Sequence, residues 1–411
     1  MTATLTDNEA LPVKDIDVSD PTLYQTDSWR PWFARLRAED PVHWTENEAF
    51  GGFWSVTRFE DIVAVDRNHH DFSSEPSITI GDYGDDLPIK QFIAMDPPLH
   101  DIQRKAVQRV VAPKNLADLE ALIRSRVIAI LDELPVGEAF DWVEHVSINL
   151  TTQMLATIFD FPFEDRAKLP YWSDMATSLP EATGGAGDVD ARTKALTECL
   201  ETFTALWHER KNNPPDTMDL ISMMATNPDT AGMVDDPLEY LGNIILLIVG
   251  GNDTTRNSIT GGVLALNENP DQYAKLKANP ELVTSLVPEI IRWQTPLIHM
   301  RRIATRDVEL GGKTIRKGDK VVMWYLSGNH DEGAIHNPNS FIIDRENPRF
   351  HLSFGFGIHR CMGNRLGEMQ LRILWEELLN RFSHVEVTGE PVRVQSNFVR
   401  GFESMPVILH R

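Results

Sequence analysis

Cysteine is nearly absent from this sequence of 411 residues, which contains only Cys199 and Cys361. Two cysteines exclude a disulfide framework and suit the reducing cytoplasm. Long apolar runs are also missing: the most apolar stretch, Ile244 to Val249, is far shorter than the about 20 residues that a transmembrane helix needs. Residues 1–20 are polar and acidic, without the pattern of a signal peptide. We therefore expect a cytoplasmic protein without a membrane anchor.

Basic residues are few relative to acidic ones, 39 against 61, and the formal net charge is −22. Nucleic acids and anionic membranes favour basic partners, so the charge argues against both as the main partner. Hydrophobic residues make up 42% and charged residues 24% of the chain, as in ordinary globular proteins.

The distribution of apolar residues predicts one large α-rich domain over residues 26–411, preceded by a flexible arm at 1–25. Helical periodicity dominates from residue 98 to 224, and a long helix is predicted from Pro237 to about Asn267. The sequence VELGGKTI at 308–315 predicts a β-hairpin. No linker divides the chain.

The most specific motif is Phe354-Gly-Phe-Gly-Ile-His-Arg-Cys361-Met-Gly363. Its glycines permit a tight backbone that can approach a flat ligand. Cys361 directly precedes a predicted helix, whose N–H groups and dipole favour the thiolate. Such a thiolate can ligate haem iron. For a lone cysteine, a buried structural role is the more common alternative. A zinc site is disfavoured because His359 and Cys361 supply only two ligands.

Two further patterns lie upstream of this loop. Glu289 and Arg292 are spaced i, i+3 on a predicted helix and can pair, although most such pairs are weak surface contacts. Gly250 and Gly251 interrupt the long helix next to Asp253 and Thr254, at a cost of roughly 1 kcal/mol per glycine. A local widening of the helix would explain them, and so would a kink in which Thr254 bonds to its own backbone.

The pattern Phe-x-x-Gly-x-His-x-Cys-x-Gly resembles the haem-binding loop of cytochromes P-450. The resemblance implies a mainly α fold with small β-sheets (α+β), as a single triangular domain with a long central helix over the haem. It also implies haem b (iron protoporphyrin IX) as cofactor and Cys361 as its axial ligand. Phe354, Gly355 and Gly363 would belong to the cofactor-binding loop.

The same resemblance assigns roles to the other patterns. Asp253 and Thr254 match the family's acid–alcohol pair, which delivers protons to dioxygen. Glu289 and Arg292 match the family's ExxR pair, and Arg345 matches its third, structural partner. The candidates for binding the haem propionates are His100, Arg104, Arg302 and His359.

By resemblance, an apolar pocket is formed by residues 73–95, a glycine-containing lid within 171–200, the central helix, residues 297–300 and the tail. The candidate lining residues are Ile93, Leu246, Val249, Gly250, Leu297, Ile298, Met300, Phe398, Val399 and Phe402. Lys90, Arg301 or an arginine of the lid are candidates for holding a substrate carboxylate.

Residues 38–402 are similar to bacterial hydroxylases that attack the terminal methyl of medium-chain alkanes and fatty acids. The resemblance implies electron supply from a 2Fe–2S ferredoxin and its FAD-containing reductase, because the chain has neither a flavin-binding extension nor an iron–sulfur cysteine cluster. A basic docking face around Arg109, Arg360 and Arg365 is expected. The alternatives are a monooxygenase for terpenes or other bulky substrates, a peroxide-using enzyme, and a non-catalytic haem sensor.

Overall fold

The computed structural model describes residues 11–81, 89–178, 188–213, 215 and 219–411. Helices dominate these residues, as predicted. In chain order the α-helices are α1 (Thr22–Gln25), α2 (Arg30–Glu39), α3 (Phe59–Arg67), α4 (Leu99–Val107), α5 (Pro113–Asp132), α6 (Asn149–Phe159), α7 (Lys168–Thr177), α8 (Val189–Asn212), α9 (Leu220–Thr226), α10 (Pro237–Glu268), α11 (Pro270–Ala278), α12 (Val283–Gln294), α13 (Tyr325–Gly328) and α14 (Asn364–Arg381).

Within the described residues the strands are short and form four small sheets. In chain order they are β1 (Val42–Thr45), β2 (Phe53–Val56), β3 (Phe72–Ser73), β4 (Ala139–Asp141), β5 (Met300–Ala304), β6 (Val308–Leu310), β7 (Lys313–Ile315), β8 (Lys320–Met323), β9 (His384–Val387), β10 (Val392–Arg393), β11 (Phe402–Ser404) and β12 (Pro406–His410). The largest sheet has the order β1-β2-β8-β5-β3. In it, β2 runs parallel to β8 and β5 antiparallel to β8.

The central helix, α10, begins and ends where the sequence predicts. Asp236 caps it by accepting a hydrogen bond from the backbone N–H of Glu239, and Pro237 occupies the first turn. Most of its residues are buried, because it packs against α6, α7, α12 and α14. A helix surrounded in this way has apolar residues on all sides, as the run 244–249 shows.

The predicted hairpin is also confirmed. Strands β6 and β7 pair antiparallel, with Leu310 opposite Lys313. The two turn residues, Gly311 and Gly312, have φ of +55° and +75°. Both positions need the left-handed conformation that glycine adopts without strain.

The N-terminal segment differs from its prediction as a flexible arm. From Leu11 onwards it packs on the protein, and Ile16, Val18 and Tyr24 are buried in one apolar cluster with the strand residue Val322. The hydroxyl of Tyr24 donates to the carbonyl of Val18 at 2.6 Å. The segment is held because its few apolar residues all face the same side, a pattern too short for periodicity to reveal.

None of the described helices is both long enough and apolar enough to cross a membrane. The part of the predicted lid at 179–187 and the loop residues 82–88 lie outside the described residues.

Candidate active site

A largely apolar cavity lies between the central helix and the loop that contains Cys361. It is bounded by α4, α6, α10, α14, the segment before β5 and the tail that contains Phe398. Among the predicted residues, its lining includes Ile93, Arg104, Leu246, Val249, Gly250, Thr254, Leu297, Met300, Arg302, Phe354, Gly355, His359, Cys361, Gly363 and Phe398.

The Cys361 loop folds as the glycines predict. Gly355 and Gly357 have φ of +65° and +68°. A Cβ at Gly357 would lie 2.6 Å from the backbone oxygen of Asp66, so the loop rests on the end of α3 without room for a side chain. The backbone N–H of Cys361 donates to the carbonyl of Phe354 at 2.8 Å. These contacts present the thiol to the cavity immediately before α14.

Opposing effects act on the Cys361 thiol, which is exposed into the cavity that it lines. Its pKa is raised, because desolvation outweighs the backbone N–H groups of Gly363 and Asn364 and the charges of Arg104 and Arg360, which lower it. The two N–H groups are those predicted from a helix N-terminus, but the raised pKa differs from the expectation that they favour the thiolate. Cys199 is buried in an apolar cluster, and burial raises its pKa far above the usual range. Cys199 is therefore a small core residue.

The four residues predicted to bind the propionates form a group that we call the basic rim: Arg104, Arg302 and His359 line the cavity, and His100 lies beside His359. The rings of His100 and His359 lie 4.3 Å apart, centroid to centroid. Burial and the charges of Arg302, His100 and Arg104 lower the pKa of His359 to about 2. One ring nitrogen of each histidine, Nε2 of His100 and Nδ1 of His359, is buried without a partner among the described residues. Nδ1 of His359 donates to a carboxylate at this rim in the tautomer whose Nε2 accepts from Ser74. Nε2 of His100 donates only when the ring is protonated, because its Nδ1 already donates to the carboxylate of Asp101 at 2.8 Å.

Gly250 and Gly251 differ in the space that is available for a side chain. A Cβ at Gly250 would meet nothing within 4 Å and would project into open space, whereas one at Gly251 would lie 2.7 Å from Leu155 of α6. The helix is α-helical throughout, so the predicted local widening is absent. The hydroxyl of Thr254 donates to the carbonyl of Gly250 at 2.9 Å, which is the backbone contact weighed as the alternative.

Asp253 is buried next to α7 and is not among the described lining residues. Its Oδ1 accepts from Ser173 at 3.2 Å and from Asn252 at 3.0 Å, and it lies 3.0 Å from Nη2 of Arg256. Burial raises its pKa, and the charge of Arg256 opposes that rise. The structure thus places the acid and the alcohol on adjacent positions but gives only Thr254 contact with the cavity.

Glu289, Arg292 and Arg345 meet in one buried network. Arg292 donates to both carboxylate oxygens of Glu289 at 2.8 Å, and Arg345 donates to them at 3.0 and 3.2 Å. Arg292 also donates to the carbonyl of Asn329 at 2.8 Å. The side-chain oxygen of Asn329 accepts from the backbone of Leu352 at 2.6 Å, which connects the network to the Cys361 loop.

Three predicted pocket residues do not line the described cavity. Ile298 follows Leu297 in an extended segment and faces the cluster beneath the large sheet, since neighbouring residues there point to opposite sides. Val399 follows Phe398 and pairs with Leu297 through an isolated bridge. Phe402 packs in the core beside α12 and α14, with the guanidinium of Arg393 4.9 Å from its ring.

Two of the candidates for a carboxylate partner, Arg301 and Lys90, are engaged elsewhere, and the arginine of the lid, Arg192, is not among the described lining residues. Arg301 donates to the carbonyls of Ser77 and Ile80 at 3.1 Å, and Lys90 pairs with Asp236 at 2.7 Å. Outside the described ranges the sequence contains no lysine, arginine or histidine. Among the described lining residues, the lysines and arginines are limited to Arg104 and Arg302, both at the basic rim.

One buried residue that the sequence analysis missed joins several parts of this site. Asp66, at the end of α3, accepts hydrogen bonds from Arg302, Tyr325 and the backbone N–H of Phe356. An aspartate in the last turn of an amphipathic helix is usually a surface charge, so the local sequence does not indicate that Asp66 is buried.

The fold and the cysteine loop define a haem-thiolate protein, and comparison with known proteins agrees. The family model for cytochrome P-450 matches residues 99–404. This chain therefore belongs to the cytochrome P-450 family, and it is an oxidoreductase of the monooxygenase type.

Individual relatives cover nearly the whole chain. The structure of cytochrome P-450-153 from Novosphingobium aromaticivorans aligns with a TM-score of 0.90 and 45% identity, over 96% of this chain and 99% of that one. Linalool 8-monooxygenase from Pseudomonas putida is 35% identical over 96% of this chain and 98% of its own. Methyl-branched lipid omega-hydroxylase from Mycobacterium tuberculosis is 33% identical over 99% of this chain and 98% of its own.

Family membership makes haem b the cofactor, and the cavity fits that group. Gly250 and Cys361 line the same cavity, and there is open space beside Gly250. Arg104, Arg302 and the unpartnered Nδ1 of His359 offer donors to two propionates, and Nε2 of His100 adds one when its ring is protonated.

Proposed function

We propose that this protein hydroxylates the terminal methyl group of medium-chain linear alkanes. The observation that carries the proposal is the apolar lining of the cavity beside the Cys361 loop, in which the arginines among the described residues belong to the basic rim. An apolar cavity with few polar groups suits an apolar ligand. Bound haem b would supply the iron at which dioxygen is activated, with Cys361 as its axial ligand.

Two similarities support attack at the chain end. The motifs from residue 38 to 402 resemble bacterial terminal hydroxylases of alkanes and fatty acids, and cytochrome P-450-153 is 45% identical. The lipid hydroxylase relative acts at the omega position, which is the end of a chain. Terminal attack requires orientation, because primary C–H bonds are the strongest in a linear chain. Leu246, Val249 and Leu297 line the cavity and are placed to confine a chain to one approach.

The charge of the cavity favours alkanes over fatty acids. Burying a carboxylate without a cationic partner is strongly unfavourable. Arg104 donates to the carbonyl of Arg360 at 2.5 Å, and Arg302 pairs with Asp66 at 2.8 Å, so both are already engaged at the rim. A fatty acid would need a further cationic partner for its carboxylate. A neutral chain has no such requirement.

Proton delivery is proposed for Thr254 and Asp253. Thr254 lines the cavity. Arg256 forms ion pairs both with Asp253 and with the half-exposed Asp174. Thr254 would hold a proton near the reacting oxygen, and the carboxyl would replenish it.

Electrons would come from a 2Fe–2S ferredoxin and its FAD-containing reductase. Arg109, Arg360 and Arg365 are all exposed near the Cys361 loop, where an acidic ferredoxin would dock. Reversing the charges of Arg109 and Arg365 to glutamate should slow reduction and leave substrate binding unchanged. Lys317→Glu, far along the chain in the turn after β7, is the matched control. Unchanged reduction kinetics in the double variant would contradict the docking face.

The substrate is tested by spectral titration with n-decane, methyl decanoate and decanoate, followed by product analysis. We expect the alkane and the neutral ester to bind, decanoate to bind at least about tenfold more weakly, which is about 1.4 kcal/mol, and decane to give 1-decanol. Tighter binding of decanoate would contradict the alkane assignment. Products hydroxylated within the chain would contradict terminal attack.

A second candidate is a monooxygenase of terpenes, favoured by the 35% identity to the linalool enzyme. Binding and turnover of linalool, with no response to linear chains, would establish it instead. A non-catalytic haem sensor would bind ligands without product, and a peroxide-using enzyme would form product without a reductase.

A further inference from the structure

Asp66 is a buried carboxylate for which the reaction proposed above has no role. It lies in the last turn of α3 and is 2% exposed. Its Oδ1 accepts from Nη2 of Arg302 at 2.8 Å, and its Oδ2 accepts from the hydroxyl of Tyr325 at 2.8 Å and from the backbone N–H of Phe356 at 2.7 Å. One side chain thus connects the basic rim to the loop that carries the cysteine.

The loop is built to fit against this aspartate. Gly355 and Gly357 flank Phe356, and a Cβ at Gly355 would lie 3.3 Å from Oδ2 of Asp66. At Gly357 a Cβ would lie 2.6 Å from the backbone oxygen of Asp66. The glycines therefore allow the loop backbone to approach the carboxylate closely enough to donate to it.

Arg302 is held in one orientation by two acceptors. Its Nη1 donates to the carbonyl of Arg301 at 2.8 Å, and its Nη2 donates to Asp66. It is 2% exposed, so solvent screens this ion pair little. The carboxylate offsets part of the positive charge that Arg302 would otherwise present to the cavity.

We propose that Asp66 is a positioning residue of the cofactor site, which orients Arg302 and lowers the reduction potential of the bound haem. The proposal depends on haem binding in this family and not on the substrate proposed above. Groups beyond the direct ligands orient those ligands and tune the metal. A negative charge beside the haem disfavours the gain of an electron, and a fixed Arg302 limits how far its positive charge can approach.

The reduction potential of the haem-loaded, full-length protein is the direct test, measured by spectroelectrochemical titration without substrate. Asp66→Asn keeps the shape and removes the charge, and we expect its potential to shift to more positive values. Tyr325→Phe removes one hydrogen bond to the same carboxylate and keeps the charge, so its shift should be much smaller. Asp71→Asn is the control for a carboxylate in a surface ion pair, because Asp71 pairs with the 65% exposed Arg306. An unchanged potential in Asp66→Asn would overturn the proposal.

A double-variant cycle separates action through Arg302 from a direct effect of the aspartate. Arg302→Gln should lower the potential, and in that background Asp66→Asn should produce less than half of its original shift. An equal shift in both backgrounds would overturn the positioning role. Should Asp66→Asn fail to retain haem, Arg302→Gln alone still decides, since a potential equal to that of the natural protein would refute the role of the pair.

Discussion

Asp253 and Arg256 lie one turn apart on the central helix and form a buried ion pair, with Oδ1 and Nη2 3.0 Å apart. The same guanidinium lies 2.6 Å from Asp174, whose side chain is 48% exposed. The three residues therefore form a continuous series of charged groups from the surface to a carboxyl adjacent to Thr254. Because a guanidinium is not deprotonated in proteins, Arg256 connects Asp253 to the surface by charge, and the proton transfer that we propose runs between Asp253 and Thr254.

Replacing Asp253 with asparagine should slow turnover by roughly 100-fold, at the lower end of the effect of proton-transferring groups. Because burial raises the pKa of Asp253, its carboxyl keeps a proton to higher pH than an exposed aspartate. The natural protein should lose activity as pH rises through that raised pKa, and the variant should lack this limb. The rate of product formation with excess ferredoxin and reductase, followed over a range of pH, measures both the loss of turnover and its pH dependence. Asp190→Asn, on the exposed side of α8, is the control, and equal rates in both variants would refute the relay.

The two glycines of the central helix should respond differently to alanine. Gly250→Ala should preserve or raise the stability by up to about 1 kcal/mol, since alanine favours helices and its Cβ meets nothing within 4 Å. It should weaken binding of the substrate, whose space it takes. Gly251→Ala should destabilise the protein, because its Cβ would lie 2.7 Å from Leu155. Thermal unfolding and spectral titration distinguish the two. The reverse order of stabilities would contradict this packing.

Asp27 should stabilise the protein only at pH values where it is ionised. Arg400 and Arg30 lie 2.9 and 2.8 Å from it and, with Arg393, hold the pKa of this carboxyl far below its usual range. A depressed pKa gives stability that is complete above the unfolded value of about 3.9 and falls as pH decreases below it.

Asp27→Asn should therefore lower the free energy of unfolding by about 2 kcal/mol at pH 7, and the difference from the natural protein should shrink below pH 4. Urea unfolding at several pH values measures it. Asp15→Asn, at an exposed pair with Lys14, should have no such effect. A difference that is constant with pH would contradict the ionic origin.

The sequence predicted the elements that depend on local patterns. The central helix, the hairpin at 308–315 and the cysteine loop follow from capping residues, glycines and periodicity, which act within a few residues. Contacts between segments that are far apart in the sequence could not be predicted from these local patterns. Leu297 and Ile298 are equally apolar, and only their position in the extended segment decides which one lines the cavity. The ion pair of Asp66 with Arg302 joins residues 236 positions apart, so neither neighbourhood indicates it.

The carbon monoxide spectrum of the reduced protein tests the thiolate ligand most directly. Cys361 and Cys199 are the two cysteines of the chain, which makes Cys199→Ser a matched control for Cys361→Ser. The natural protein and Cys199→Ser should show the red-shifted Soret band of a thiolate-ligated haem, and Cys361→Ser should lose it while retaining haem. A normal thiolate-type band in Cys361→Ser would contradict the account.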